Sequence, residues 1–401
     1  MSGGEEDGTV RLVAAVAVTL AVQSLTAMAL AVPSVLAPVA AVDFDVAPTQ
    51  VGRWVGFSYM IAMFGGLAGG MFVGRYGPAR MLQVAALGVA LGLVIGAGTH
   101  IALLLVCGTL LGAAHGLVNP ASSAILAAAS PPRIRSMVFS IKQTGVPVGG
   151  AIAGTLVPAL LLWMSWQAAV LALGVGATVL LALIAPYRRV YDGNRRLERL
   201  HLRGFAAPVA EVWANRPILE LATISGVYSA IQISFITYLV SYLNLELGYS
   251  LLAAGLVFSA SMIAGVLGRI LWGVVADHVF APRSVLAALG LVMVLCGIAL
   301  ASFTAAWPPS AVLAVCVLYG ATAVGWNGVF LAEVARLAPE GRVAVLTGGT
   351  QFFTFAGVLI GPPLFGAIVS STGRYGAGFA AAALLPLLAV IGMIAGGVRR
   401  P

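Results

Sequence analysis

The chain has 401 residues, 61% hydrophobic and only 8% charged, where a soluble domain carries roughly 25% charged residues. So little charge cannot clothe a water-exposed surface of this size, which excludes a soluble globular protein and leaves lipid as the main solvent. The net charge of +8 raises the question of nucleic acid, but the placement of the basic residues answers it differently.

Met1 to Val10 contains Glu5, Glu6 and Asp7 and no basic leader, so it reads as a short cytoplasmic tail rather than a cleaved signal. Twelve apolar runs follow, each near the ~20 residues that cross a bilayer. They lie at 11–38, 50–73, 79–98, 101–129, 135–160, 164–186, 218–245, 250–276, 284–304, 309–337, 343–369 and 375–397. Unpaired backbone groups are not tolerated in hydrocarbon, so the spans are expected to be helices and the fold class all-α membrane protein. The 49 glycines and 20 prolines suit helices that pack closely and bend in a membrane. Cys107, Cys296 and Cys316 all fall inside spans and are assigned no redox or metal role.

With the N-terminus inside, the cytoplasmic loops and termini hold 17 of the 21 basic residues: Arg11, Arg75, Arg80, Arg133, Arg135, Arg188, Arg189, Arg195, Arg196, Arg199, Arg203, Arg216, Arg283, Arg336, Arg342, Arg399 and Arg400. The opposite side keeps Arg53 and Arg374, near Asp43 and Asp45 in the first case. This is the positive-inside pattern, and it places both termini in the cytoplasm of a bacterial inner membrane. No nucleic-acid partner is implied.

The polar stretch 187–217, with seven Arg and three acidic residues, separates six spans (1–186) from six more (218–401). Asn119 and Asn327, Gln143 and Gln351, Gly112 and Gly320, Gly149 and Gly357, and Pro131 and Pro339 are all 208 apart. Gly52 and Gly255, Gly70 and Gly273, and Arg80 and Arg283 share an offset of 203, and Gln23 and Gln232 occupy similar places in the first span of each half. Matches at constant offset, in the order of the spans, indicate duplication. Paired six-helix halves with a solute site near the midplane are a transporter architecture.

The segment 70–80, with Gly70, Gly74, Arg75, Gly77 and Arg80, resembles the signature loop of the major facilitator superfamily. Gly74 stands where that family usually has Asp; the second half repeats the pattern with Gly273, Asp277, His278 and then Arg283, and there the Asp is present. The resemblance covers essentially the whole chain. It implies two pseudo-symmetric six-helix bundles, and a cytoplasmic latch formed by Gly70, Arg75, Arg80, Gly273 and Asp277. Arg75 and Arg80 are equally accounted for as positive-inside charges.

Few charges lie within the spans, and a charge at mid-membrane costs about 2.5–3.5 kcal/mol on insertion scales. Arg269 precedes Asp277 by eight residues, about 12 Å along a helix. Its planar fork matches a carboxylate, and it cannot escape charge by losing a proton. Its position, four residues before Gly273, is similar to that of the substrate-binding Arg of monocarboxylate transporters and the oxalate–formate antiporter, which implies anion binding. Snorkelling, or pairing with Asp277 or Glu333, is the other reading. Lys142, the chain's one lysine, lies seven residues past Arg135, beside Gln143 and Thr144. It is a compact cation able to bind an anion or shed its proton, or else an interfacial anchor.

Glu333 and His115 are candidate proton-coupling groups. Glu333 could instead pair with Arg336, three residues on, and His115 could simply bond a neighbouring helix. Gln23, Tyr59, Asn119, Tyr228, Gln232, Asn327 and Gln351 complete the candidate solute lining, any of which could serve as helix-to-helix glue. Gly145, Pro147, Gly149 and Gly150 are expected to let the fifth span bend. They resemble the glycine–proline motif of drug–proton antiporters, with the Pro one residue too close to the Gly pair. No phosphate-cradling loop and no metal-ligand spacing occurs, so no cofactor, metal or enzymatic activity is expected.

These features predict a proton-coupled or facilitated transporter of a small organic anion, a monocarboxylate, working as a monomer. The rival is an antiporter exporting amphipathic cations or neutral drugs, which wants deep carboxylates that the first half lacks. A sensor without transport is a third reading; the short soluble loops weigh against it.

Overall fold

The computed structural model describes residues 2–131, 134–193, 206–339 and 342–398, and among these it holds helices and turns but no strand. Arg133, Arg195, Arg196, Arg199, Arg203, Arg399 and Arg400 of the predicted cytoplasmic set lie outside the described residues.

The first half comprises α1 (Ser2–Ala40), α2 (Val51–Tyr76), α3 (Pro78–Gly96), α4 (Ile101–Ala129), α5 (Arg135–Gln143), α6 (Gly145–Leu160), α7 (Trp166–Ile184) and the short α8 (Tyr187–Tyr191). The rest comprises α9 (Ala206–Ala214), α10 (Arg216–Ser241), α11 (Leu251–His278), α12 (Pro282–Ala301), α13 (Pro309–Ala323), α14 (Asn327–Leu337), α15 (Val343–Thr372) and α16 (Tyr375–Val398). Among the described residues, ten of the expected spans are long and apolar enough to cross a membrane. Of the other two, the fifth is split between α5 and α6, and the last is α16, apolar over Tyr375–Ile391. The protein is a multi-pass α-helical membrane protein. The first span is longer than expected, since α1 takes in the tail from Ser2.

Local chemistry sets the helix ends. Ser165, Ser250 and Asn215 accept hydrogen bonds from Ala168 N (3.3 Å), Ala253 N (3.1 Å) and Ile218 N (3.4 Å) at the starts of α7, α11 and α10. Pro78, Pro282 and Pro309 open helices where a missing N–H costs nothing. Gly373 ends α15 with φ 72°, a left-handed turn that suits glycine.

Two breaks depart from the expected continuous spans. The fifth span breaks at Thr144 because Pro147 has no N–H to give Gln143 O and its ring crowds that carbonyl. The tenth breaks over 324–326 without a proline. There the Trp272 indole donates to Ala321 O at 2.8 Å and Arg269 Nε to Val324 O at 3.1 Å. Side chains of α11 thus bond to carbonyls at the end of α13, a recognised way to interrupt a helix.

The chain gathers into two compact units. One holds Met1–Val32, Phe57–Ala153 and Ala159–Arg203; the other holds Pro33–Gly56, Gly154–Pro158 and Gly204–Pro401. In each sequence half the first span is the most enclosed: 78% of the apolar window of Val10–Phe44 and of Arg216–Glu246 is buried. A helix hydrophobic on all sides belongs inside its bundle. The repeat seen in sequence is also a repeat of packing. Gly112 lies against the backbone of Ser58, and Gly320 against that of Ser261; these contacts are 208 and 203 residues apart on their two helices. Gly149 meets the backbone of Ser24 as Gly357 meets that of Gly226. A methyl group at these glycines would overlap neighbouring backbone, so the small residue is what allows the helices to touch.

Candidate functional site

In the first unit, α1, α2, α4 and α5 bring six of the candidate residues together. Lys142, one residue before the end of α5, is 3% exposed and donates through Nζ to Asn119 Oδ1 of α4 at 2.5 Å. His115 lies one turn earlier on α4 and shares a 3.4 Å hydrogen bond between its Nδ1 and Thr26 Oγ1 of α1. The Tyr59 ring meets the His115 ring edge-on at 5.7 Å. Gln23, one turn before Thr26, is 1% exposed, and its Oε1, sealed from solvent, has no hydrogen-bond partner among the described residues. Gly145, just past the α5 break, packs on the aliphatic part of Gln23, so the break and the amide share one place. Gln143 is half-buried beside Lys142.

In the second unit, the group is built on α10, α11 and the break between α13 and α14. Gln232 Oε1 accepts from Trp326 Nε1 at 3.0 Å and from Asn327 Nδ2 at 3.4 Å. Trp326 is wholly buried and meets Tyr228 edge-on at 5.7 Å. Tyr228 is also wholly buried, and its hydroxyl donates to Leu286 O at 2.7 Å. That bond turns Tyr228 into the core of the unit. Arg269 reaches the same break from α11, where its Nε–H meets the negative, carbonyl end of a helix. Gln351, on α15, is half-buried, and among the described residues no hydrogen bond joins it to Gln232 or Asn327.

Glu333 is fully buried and held by Arg336 through two bonds of 2.7 Å, so its carboxylate is engaged by the neighbouring cation. Neither Gly70 nor Gly273 has a neighbour where a methyl group would point, Asp277 is exposed, and Arg75 lies 5.6 Å over the adjoining Tyr76 ring. What anchors the loop between α2 and α3 is Asp192, just after α8. Its carboxylate accepts from Ala79 N at 2.9 Å and Arg80 N at 3.1 Å, capping α3. In the second unit the equivalent Arg283 pairs with Glu220.

Sequence reasoning missed Thr26, Asp192, Trp272 and Trp326. Trp326 carried a usable signal, sitting with Asn327 between Gly325 and Gly328 in an apolar span. Trp272 and Thr26 look like ordinary apolar-face residues until their partners are known. Among the described residues no group of His, Cys, Asp and Glu could hold a metal ion.

The sequence profile of the Major Facilitator Superfamily matches residues 19–362. Over 372 residues the chain is 26% identical to the hexuronate transporter of Bacillus subtilis (strain 168), covering 88% of this chain and 86% of that one. It is likewise 26% identical to monocarboxylate transporter 13 of Rattus norvegicus, over 84% of this chain and 78% of the relative. A crystal structure of a bacterial homologue of the human lysosomal transporter Spinster, inward-facing and occupied, shares the fold with a TM-score of 0.74 at 15% identity, over 96% of both chains. The repeated helix packing, the spans and the profile agree, and the chain belongs to the Major Facilitator Superfamily of membrane transporters.

Proposed function

We propose that the protein carries a small organic anion, a monocarboxylate, across the membrane, with Lys142 and Arg269 as its cationic ligands. The observation that carries this reading is Lys142. The chain's one lysine is enclosed within a span, and the oxygen it binds, Asn119 Oδ1, is neutral. An ammonium in that setting calls for an anion or for loss of its proton. Either response suits a carrier: the protonated amine attracts a carboxylate, and release of the proton lets the solute leave. A proton and an anion then move together. Arg269 provides the planar, permanently charged fork that fits a carboxylate. The hexuronate and monocarboxylate transporters to which the chain is similar are both named for carboxylate solutes, which supports the class. The positive-inside pattern supports a topology with both termini in the cytoplasm.

The test is uptake of labelled monocarboxylates into proteoliposomes with and without an inward proton gradient. Wild-type uptake should be gradient-stimulated and lost in Lys142→Gln and Arg269→Lys. If both variants transport with unchanged kinetics, the proposed ligands are wrong.

A further inference from the structure

A groove lies on the flank of the second unit, with the Arg283–Glu220 pair at one end. Its volume is about 410 Å³, and it runs between α10 and α16, walled by Leu219, Ile224 and Val227 on one side and Leu385 and Leu388 on the other. The α10 positions that line it, from 216 to 227, recur at three- and four-residue spacing and form one stripe. At 1.5 Å per residue the stripe is about 16 Å long, close to half of the ~30 Å hydrocarbon core and so to one leaflet.

Only one end of the groove is charged. Arg216 is exposed and is the first residue of the apolar helix Arg216–Glu246, the end at which a membrane-crossing helix carries its interfacial cations. Glu220, the one acid in the lining, is paired with Arg283. Among the described residues, Arg216 and Arg283 against Glu220 leave one net positive charge at the mouth. Further in, Thr223 donates its hydroxyl to Leu219 O at 2.9 Å, so nothing along the wall asks for a polar occupant. Leu388 is 66% exposed on this face, as expected of a surface that meets lipid.

We infer that the groove holds one anionic phospholipid, with an acyl chain laid along α10 and α16 and its phosphate on Arg216. The charge at the mouth complements a single-negative headgroup, and the apolar length complements one chain in one leaflet. A zwitterionic lipid fits the wall but brings no net charge to the mouth. A small soluble anion fits the mouth but leaves the wall empty.

The test uses the full chain, purified in a neutral detergent, with dioleoyl phosphatidylglycerol or dioleoyl phosphatidylcholine added at matched concentration. Native mass spectrometry reads bound lipid, and thermal unfolding reads its effect, since a ligand of the folded state raises apparent stability. The expected result is one tightly retained phosphatidylglycerol and an upward shift in the unfolding midpoint that phosphatidylcholine does not give. Arg216→Gln should erase the preference between the two lipids. Ala389→Phe, which fills the groove and leaves the charge in place, should lower retention of phosphatidylglycerol and so tests the site independently should the first variant fail to fold. Equal retention of both lipids by the wild type, or an undiminished preference in both variants, overturns the proposal.

Discussion

Gln23 and Gln232 hold the same place in the first span of each half, yet their surroundings differ. Gln232 Oε1 accepts two hydrogen bonds, from Trp326 and Asn327. Gln23 Oε1 accepts none among the described residues and is sealed from water. The cations differ in the same sense. Arg269 is built into the frame, bonding to a carbonyl at the end of a broken helix, whereas Lys142 is tied to the flexible end of one exposed side chain, Asn119. Buried polar groups in native proteins are nearly always bonded. The comparison teaches that duplication copied the helices and their contacts, while the hydrogen bonding at this paired glutamine position diverged between the two halves.

If that contrast is real, the two cations should fail differently. Lys142→Met should cost transport the most. Losing one side of a buried charged contact with the solute weakens it by about 2–5 kcal/mol, while the fold, relieved of a buried cation, should unfold no earlier than the wild type. Arg269→Met should lose uptake and also stability, because Val324 O loses a donor, a change worth about 1–3 kcal/mol. Uptake assays run beside thermal unfolding of the same preparations separate these patterns. A stable, inactive Arg269→Met would break the comparison.

The two glutamines make a sharper pair. Gln232→Leu should destabilise by about 1–3 kcal/mol, since it strands the Trp326 and Asn327 donors in the interior. Gln23→Leu removes an oxygen that bonds to nothing and should be close to neutral in unfolding experiments. Equal losses would mean that Gln23 is satisfied in the folded protein after all.

The smallest effect is expected at α9, at the start of the second unit. Glu211 on α9 pairs with Arg342, and that bond holds its carboxyl below the usual glutamate range. A lowered folded pKa means that the pair contributes fully above the ordinary value of about 4.3 and fades as pH falls through the lowered one. Trp213, stacked on Phe353 at 6.0 Å, reports whether α9 stays docked. Its fluorescence should change on acidification in the wild type, and Glu211→Gln should be flat over the same window. The effect is small because the pair is exposed to solvent and salt.

Much of the scaffold could be read from residue pattern because lipid imposes a blunt rule: some twenty apolar residues, a helix, and few charges. The glycine pairs at fixed offsets carried the duplication, and their packing against Ser58 and Ser261 shows why small residues recur there. The polar candidates were legible as a set, since polar residues are scarce in these spans. Their partners were not. Glu333 sat three residues before Arg336 and was open to two readings, and only the side-chain geometry shows it held by that arginine. Tyr228 was indistinguishable in sequence from a lining residue, and its bond to Leu286 O turns it to the core.

By itself, then, the order of residues determined that this chain lives in a bilayer as paired sets of helices with two cations inside the spans. Composition and spacing are local properties, and hydrocarbon penalises exceptions to them heavily. Tertiary structure alone decided where helices break and which donor meets which acceptor. Those outcomes depend on residues far apart in the chain, as when Trp272 and Arg269 reach across to the end of α13. A hydrogen bond is made within about 3 Å or not at all, and no spacing along one strand of sequence can supply that distance.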